Sequence, residues 1–128
     1  MYEIFAVIRL NRLQQTKEAL LAAGFPSFTA SRAMGRGRGA GQPLQKCEEG
    51  ADASRGAPPV IVLPRLFPKK IISLVVPEAL AERAVQAIIQ ANRTGSPGDG
   101  KIFVLPVADA WRIRSGETGV RAIDEMTG

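Results

Sequence analysis

Apolar positions fall in short blocks whose spacing alternates between strand-like and helix-like. Residues 2–9 (YEIFAVIR) carry few polar positions, which predicts a central strand covered on both faces. Helical spacing follows over 12–23, with Asn11 placed to cap it and Leu13, Leu20 and Leu21 on its inner side. Gly24 is placed to end that helix. Residues 27–34 (SFTASRAM) read as a second strand. Order resumes at 60–63 (VIVL) and 70–76 (KIISLVV), both β-branched and strand-like. Pro77 suits the first turn of a second helix over 78–92. There Leu80, Ala81, Ala84, Val85, Ile88 and Ile89 share one face, and Gly95 is the stop. Residues 101–107 (KIFVLPV) form a further strand, where Pro106 points to an edge or a strand end. The tail, 110–128, mixes charge with glycine and reads as irregular.

Between the two ordered halves the composition breaks. The 25 residues of 35–59 hold six glycines and three prolines, with Leu44 as the one large aliphatic. Burial there cannot offset the entropy of ordering, which predicts a mobile surface loop. Structureless stretches of this length inside a domain usually carry function. With the loop set aside, each half is strand, helix, strand. That order is the split βαβ plan of an α+β, ferredoxin-like sandwich, in a single domain spanning 1–128. The plan leaves one sheet face without helices. Apolar residues on both faces of 2–9 and 70–76 predict that another subunit covers it.

Composition narrows the chemistry. The chain has no histidine, which excludes Ser-His and Cys-His nucleophilic sites, histidine zinc sites and histidine acid-base catalysis. One cysteine, Cys47, excludes an internal disulfide, suits a reducing cytosol and reads as a spectator thiol. No run approaches the ~18 apolar residues of a membrane span. The N-terminus lacks the basic and apolar regions of a secretory leader, so a cytoplasmic protein is expected. The 17 Lys and Arg outnumber the 12 Asp and Glu, a net +5 that suggests an anionic partner. Aromatic residues are only 5%, which argues against a base-stacking platform.

Three basic motifs could meet that anion. Gly95-Ser-Pro-Gly98-Asp99-Gly100-Lys101 fits the first seven positions of GxxxxGK[ST], but Ile102 replaces the hydroxyl that would hold Mg²⁺. The loop also runs from helix to strand, so it is not a P-loop. Its glycines and terminal lysine still make an anion nest, or, more plainly, a turn. Arg112-Ile113-Arg114, if strand-like, would aim both guanidiniums to one side and fork onto phosphate; otherwise it is a solvated edge. Gly35-Arg36-Gly37-Arg38-Gly39 is weakly like an RGG segment, or a flexible strand exit that touches phosphate. No carboxylate pair stands out as an acid-base site, and nothing argues for turnover chemistry.

Taken together these segments resemble a known family. Residues 94–119 (TGSPGDGKIFVLPVADAWRIRSGETG) closely resemble the C-terminal signature of the PII nitrogen-regulatory proteins. Residues 26–38 and LFPKKIISLVV at 66–76 fit as well, and the long loop lies where that family carries its T-loop, about 36–65 here. The opening half looks most like the PII-like regulators of nitrogen-fixation clusters, the second of their two paired types. The resemblance implies a non-enzymatic signal transducer with the ferredoxin-like fold, trimeric or in a hetero-oligomer with a companion PII-like subunit. ATP or ADP would sit between subunits, with 2-oxoglutarate and Mg²⁺ as further effectors. The T-loop would grip a target, here a nitrogenase component; an ammonium transporter or glutamine synthetase is the alternative target.

Carried over by position, Gly98, Asp99, Gly100 and Lys101 form the nucleotide loop, and Arg112 and Arg114 reach its phosphates. Gly35, Gly37 and Arg38 match the phosphate-facing T-loop base. Thr29 and Val75 match positions around the adenine, and Val7 an apolar wall. Lys69 matches the lysine that pairs with 2-oxoglutarate. The family's glutamine after the T-loop-base arginine, a ligand of Mg²⁺ and 2-oxoglutarate, is Gly39 here, with Gln42 as the candidate substitute. The T-loop holds no tyrosine, so tyrosine uridylylation is not available. Nucleic acid and stable membrane insertion are not expected. A basic RNA-binding module is the reading from a different class.

Overall fold

The structure is a computed structural model that describes residues 1–36 and 65–123. Strand β1 (Tyr2–Arg9) leads through a 3-10 turn (Leu10–Arg12) into helix α1 (Leu13–Ala22), followed by β2 (Thr29–Gly35). The second half repeats the plan: β3 (Phe67–Val76), a 3-10 turn (Glu78–Leu80), α2 (Ala81–Asn92) and β4 (Lys101–Pro106). A short helix α3 (Val120–Ile123) closes the described chain. All neighbouring strands are antiparallel, in the order β2-β3-β1-β4. This is the ferredoxin-like sandwich expected from the order of elements.

The core forms where strand alternation meets the helix stripes. Ile4, Ala6 and Ile8 of β1 and Ile72, Leu74 and Val76 of β3 are buried together with Leu20, Phe25, Ala84 and Ile88. Register pairs Ile4 with Leu74 and Ala6 with Ile72, so one sheet face carries the large aliphatics under both helices. Each fully buried Ile or Leu contributes about 1.5–3 kcal/mol. A polar pair crosses the helix layer: the buried Asn92 amide donates to Thr16 Oγ1 and to the Ile88 carbonyl, both at 2.9 Å.

The opposite face brings Glu3, Phe5 and Val7 beside Val75, Ser73 and Ile71, and beside Leu105, Phe103 and Lys101. Phe5 and Phe103 tilt against each other at 6.5 Å, while Ser73 Oγ donates to Glu3 at 2.6 Å. Phe103 and Leu105 are exposed, so this face is apolar and bare in the single chain.

Several details differ from the sequence reading. Asn11 does not cap α1; it lies inside the 3-10 turn, and Arg12 takes the cap position without a side-chain bond. Leu21 is 64% exposed, because the stripe through Leu13 and Leu20 turns it away from the sheet. Pro77 precedes the second helical segment as a cap, its carbonyl accepting from Leu80 N–H at 2.9 Å. That helix ends at extended Arg93, so Gly95 belongs to the following loop and is not the stop. Strand β3 starts three residues earlier than expected, at Phe67. The tail is ordered in part, with a Trp111–Thr118 bridge before α3. Residues 60–63 and nearly all of 35–59 lie outside the described residues.

Candidate functional site

At one end of the sheet β1 and β2 finish while β3 and β4 begin. Register sets Arg9 and Ala33 on either side of Lys69, Gly35 opposite Phe67, and Lys101 opposite Val7. The loop from α2 to β4 closes over this end. Three glycines there have left-handed φ: Gly95 (+83°), Gly98 (+97°) and Gly100 (+109°). Gly100 is fixed by contact as well as conformation, since a Cβ there would lie 2.0 Å from the Val7 carbonyl oxygen. The backbone must be bare for the loop to lie on β1.

Asp99 organises the loop. One carboxylate oxygen accepts from Thr94 N–H at 2.8 Å and Gly95 N–H at 3.0 Å. The other accepts from the Thr94 hydroxyl at 2.5 Å and from Arg9 at 2.7 Å. Arg9 also reaches the Pro97 carbonyl at 2.8 Å and the Thr94 hydroxyl oxygen at 3.2 Å. The Thr94 hydroxyl, then its N–H, then Gly95 N–H and the Arg9 charge hold the Asp99 pKa down at about 2; partial desolvation opposes them. Lys69 Nζ comes 3.5 Å from the Gly98 carbonyl. An anion nest needs free N–H groups on the loop glycines, but the Gly95 N–H is taken by Asp99.

The expected site residues divide into two groups. Gly35, Lys69, Val7, Gly98, Asp99, Gly100 and Lys101 gather at the end just described. Val7, Gly100 and Lys101 also border a cleft of about 380 Å³ floored by Ile88 and Ile89. Thr29 and Val75 lie toward the opposite end, and Val75 is six strand residues, about 20 Å, from Lys69. They line a separate groove of about 320 Å³ with Phe25, Leu80 and Ile123. Gly37, Arg38, Gly39 and Gln42 are outside the described residues.

Arg112 belongs with the second group. Its guanidinium lies 3.7 Å from the Glu117 carboxylate and donates to the Arg121 carbonyl at 3.1 Å. It is thereby tied to the helix that borders the Thr29 groove. Residues 113–115 form a turn, so Arg112 and Arg114 do not have the strand alternation that would aim them together. Arg9 and Thr94 were missed by the sequence reading. The available signals were a cation closing an apolar strand two positions beyond Val7, and a threonine five residues before an aspartate in a glycine turn. Among the described residues no three His, Cys, Asp or Glu side chains converge as a metal site.

Comparison with known proteins decides the family. Residues 1–117 match the family model described as nitrogen regulatory protein P-II. The chain belongs to the P-II family. A relative from Methanobacterium ivanovii, named nitrogen fixation nifHD region GlnB-like protein 2, is 44% identical over 127 residues, covering 96% of this chain and 99% of the relative. The nitrogen regulatory protein P-II of Rhodospirillum rubrum is 42% identical over 123 residues, covering 96% and 100%. Among solved structures, Arabidopsis thaliana PII bound to citrate superposes with a TM-score of 0.69 at 33% identity, over 94% of this chain and 90% of that one. P-II proteins are regulatory signal transducers and not enzymes. Nitrogen regulation is the family's province, and nitrogen fixation is in the name of the Methanobacterium ivanovii relative. Among the described residues no helix is long and apolar enough to cross a membrane.

Proposed function

We propose that this P-II protein is a single-domain cytoplasmic sensor of ATP or ADP and 2-oxoglutarate that regulates nitrogenase through a T-loop at about 36–65. The observation that carries the reading is a convergence at one sheet end. The glycine loop and Lys101 meet Lys69 there, beside both roots of the long segment, Gly35–Arg36 and Arg65. A polyphosphate on the loop would therefore touch the base of the T-loop. The split of the remaining candidates supports a site between subunits. Thr29, Val75 and Arg112 lie too far from Lys101 to close one pocket, so a neighbouring copy would supply them. The bare apolar sheet face supports the trimer, or a hetero-oligomer with a companion P-II subunit, because exposed patches of this kind mark protein contacts.

In this reading Lys101, with Arg112 and Arg114 from the neighbour, neutralises phosphate. Lys69 takes a 2-oxoglutarate carboxylate, with Mg²⁺ and the segment that carries Arg38, Gly39 and Gln42 completing the effector site. A relative crystallised with citrate supports an affinity of this fold for small carboxylates. Effectors shift the T-loop only by their differential affinity for its conformers, so 2-oxoglutarate with ATP would release the target. The relatives' nifHD names favour nitrogenase over an ammonium transporter or glutamine synthetase. The test is a nitrogenase pull-down with the companion subunit present, titrating 2-oxoglutarate at fixed Mg-ATP. Release in the wild type and retention with Lys69→Ala is the expected pair of results. Wild-type capture that ignores 2-oxoglutarate rejects the sensing mechanism, and absence of ATP binding by calorimetry rejects the nucleotide site.

A further inference from the structure

We infer that Arg9 is a positioning residue that pins the glycine loop to the central strand in its anion-receiving shape. The inference rests on the nucleotide reading above, though the pin itself can be tested without nucleotide.

The loop has reason to need a pin. Three left-handed glycines within six residues give it a large conformational entropy to lose. It also carries Asp99, whose negative charge would repel a phosphate arriving at the same turn. Arg9 answers both problems from β1, which is central in the sheet and hydrogen-bonded on both sides. One guanidinium nitrogen takes the Asp99 carboxylate at 2.7 Å and the Thr94 hydroxyl oxygen at 3.2 Å; another takes the Pro97 carbonyl at 2.8 Å. Residues on both limbs of the turn are thus tied to a single rigid fork. Gly98 lies directly on that fork, since a Cβ there would stand 3.3 Å from an Arg9 nitrogen.

The planar geometry matters. A lysine is a point charge and cannot hold the carboxylate and the Pro97 carbonyl in one fixed plane. The partner charge on Asp99 is absorbed inside the loop, which leaves Lys101 and Lys69 to set the potential at the turn. Arg9 therefore acts on an anion through Asp99, Thr94 and Pro97 and not by touching it.

Hydrogen exchange on the ligand-free protein and calorimetry with ATP and with adenosine test the pin. Arg9→Ala is expected to speed amide exchange across Thr94–Lys101, with exchange in the buried part of α2 unchanged. ATP affinity should fall roughly tenfold, the size of coupling seen within one hydrogen-bonded network. Adenosine, which lacks phosphate, should bind as in the wild type. Arg9→Lys should recover thermal stability but not ATP affinity, and it serves the same comparison if the alanine variant does not fold. Asp99→Asn should weaken ATP by a similar factor, and the double variant should lose no more than either single one. Unchanged loop exchange in Arg9→Ala overturns the pin. Tighter ATP binding in Asp99→Asn, or additive losses in the double variant, would show that Arg9 contacts phosphate itself and would also overturn it. If the wild type binds no ATP while Arg9→Ala loosens the loop, the nucleotide reading fails and the pin stands.

Discussion

The two halves of the fold repeat one plan, yet their helix-to-strand connections are built on different physics. After α1 the chain turns at Gly24, with φ +95°. Gly24 N–H donates to the Leu21 carbonyl at 3.0 Å and Phe25 N–H to the Leu20 carbonyl at 2.8 Å. The helix's own carbonyls satisfy the turn, and Phe25, 6% exposed, anchors it in the core. After α2 the equivalent connection has no apolar anchor. Its Thr94 and Gly95 amides go to the Asp99 carboxylate, and its attachments to the sheet are Arg9, Lys69 and the bare backbone of Gly100. A connection held by burial can do little except hold. One held by charge and hydrogen bonds stays exposed, polar and able to exchange partners, which the proposed anion site would require.

Removing each anchor tests that contrast. Phe25→Ala should have the largest effect on stability, a loss of about 3–5 kcal/mol, because a buried aromatic leaves a cavity. Denaturant unfolding at fixed protein concentration would measure it, and a loss below 1 kcal/mol would contradict an apolar anchor. Gly100→Ala comes next, at about 2–4 kcal/mol, from a left-handed φ combined with a Cβ driven into the Val7 carbonyl. Gly95→Ala is the internal control. Its φ is also positive, but nothing lies within 4 Å of the added Cβ, so only about 1 kcal/mol of conformational cost remains. Equal losses at the two glycines would show that contact with β1 does not shape the loop.

Lys101→Ala separates binding from folding. Lys101 is exposed, and its removal should change stability by no more than about 0.5 kcal/mol. ATP binding should weaken by about 1.5–3 kcal/mol, the range of a hydrogen bond to a charged group. Calorimetry beside a melting curve reads both, and a loss of stability without a loss of affinity would make Lys101 structural.

The first connection was largely legible in the sequence and the second only in part, for the same physical reason. Leu20 and Gly24 follow local rules of period and chain reversal, and a local rule can be read from neighbours in the chain, whereas the Phe25 anchor emerges only from the structure. The glycine spacing and Lys101 were also visible. What was hidden is the pairing of Arg9 with Asp99 across 90 positions. Only the β1–β4 register brings those two together, and no periodicity encodes it. Asn11 failed as a cap because a 3-10 turn over Leu10–Arg12 moved the cap one residue on, to Arg12, a choice local propensity does not settle. Leu21 failed because the inner stripe is narrower than a count of leucines suggests. The repeated strand-helix-strand order and the inner stripes through Leu20 and through Ala84 and Ile88 agree with the sequence pattern, since hydrophobic alternation specifies them directly, while the 60–63 strand lies outside the described residues.

The smallest expected effect is in acid, and it belongs to one connection alone. Residues 23–28, Ala-Gly-Phe-Pro-Ser-Phe, contain no titratable side chain, whereas the α2 connection depends on ionised Asp99. Its folded pKa, about 2, lies below the ordinary 3.8, so the ionised form is favoured by folding. The stabilisation from this group is therefore fully present above pH 3.8. It is lost as pH falls from 3.8 toward 2, because the unfolded chain takes up the proton first. Protonation removes an acceptor from Thr94, Gly95 and Arg9 together, which should loosen 94–100 and leave 23–28 as before. Because the pair is partly exposed, added salt should narrow the difference. Amide exchange at pH 2.5 and pH 5, corrected for intrinsic rates, compares the two segments within one molecule. Asp99→Asn should abolish the pH dependence of the second segment. If both segments loosen in parallel, or if the asparagine variant keeps the acid response, the α2 connection is not held by the Asp99 charge.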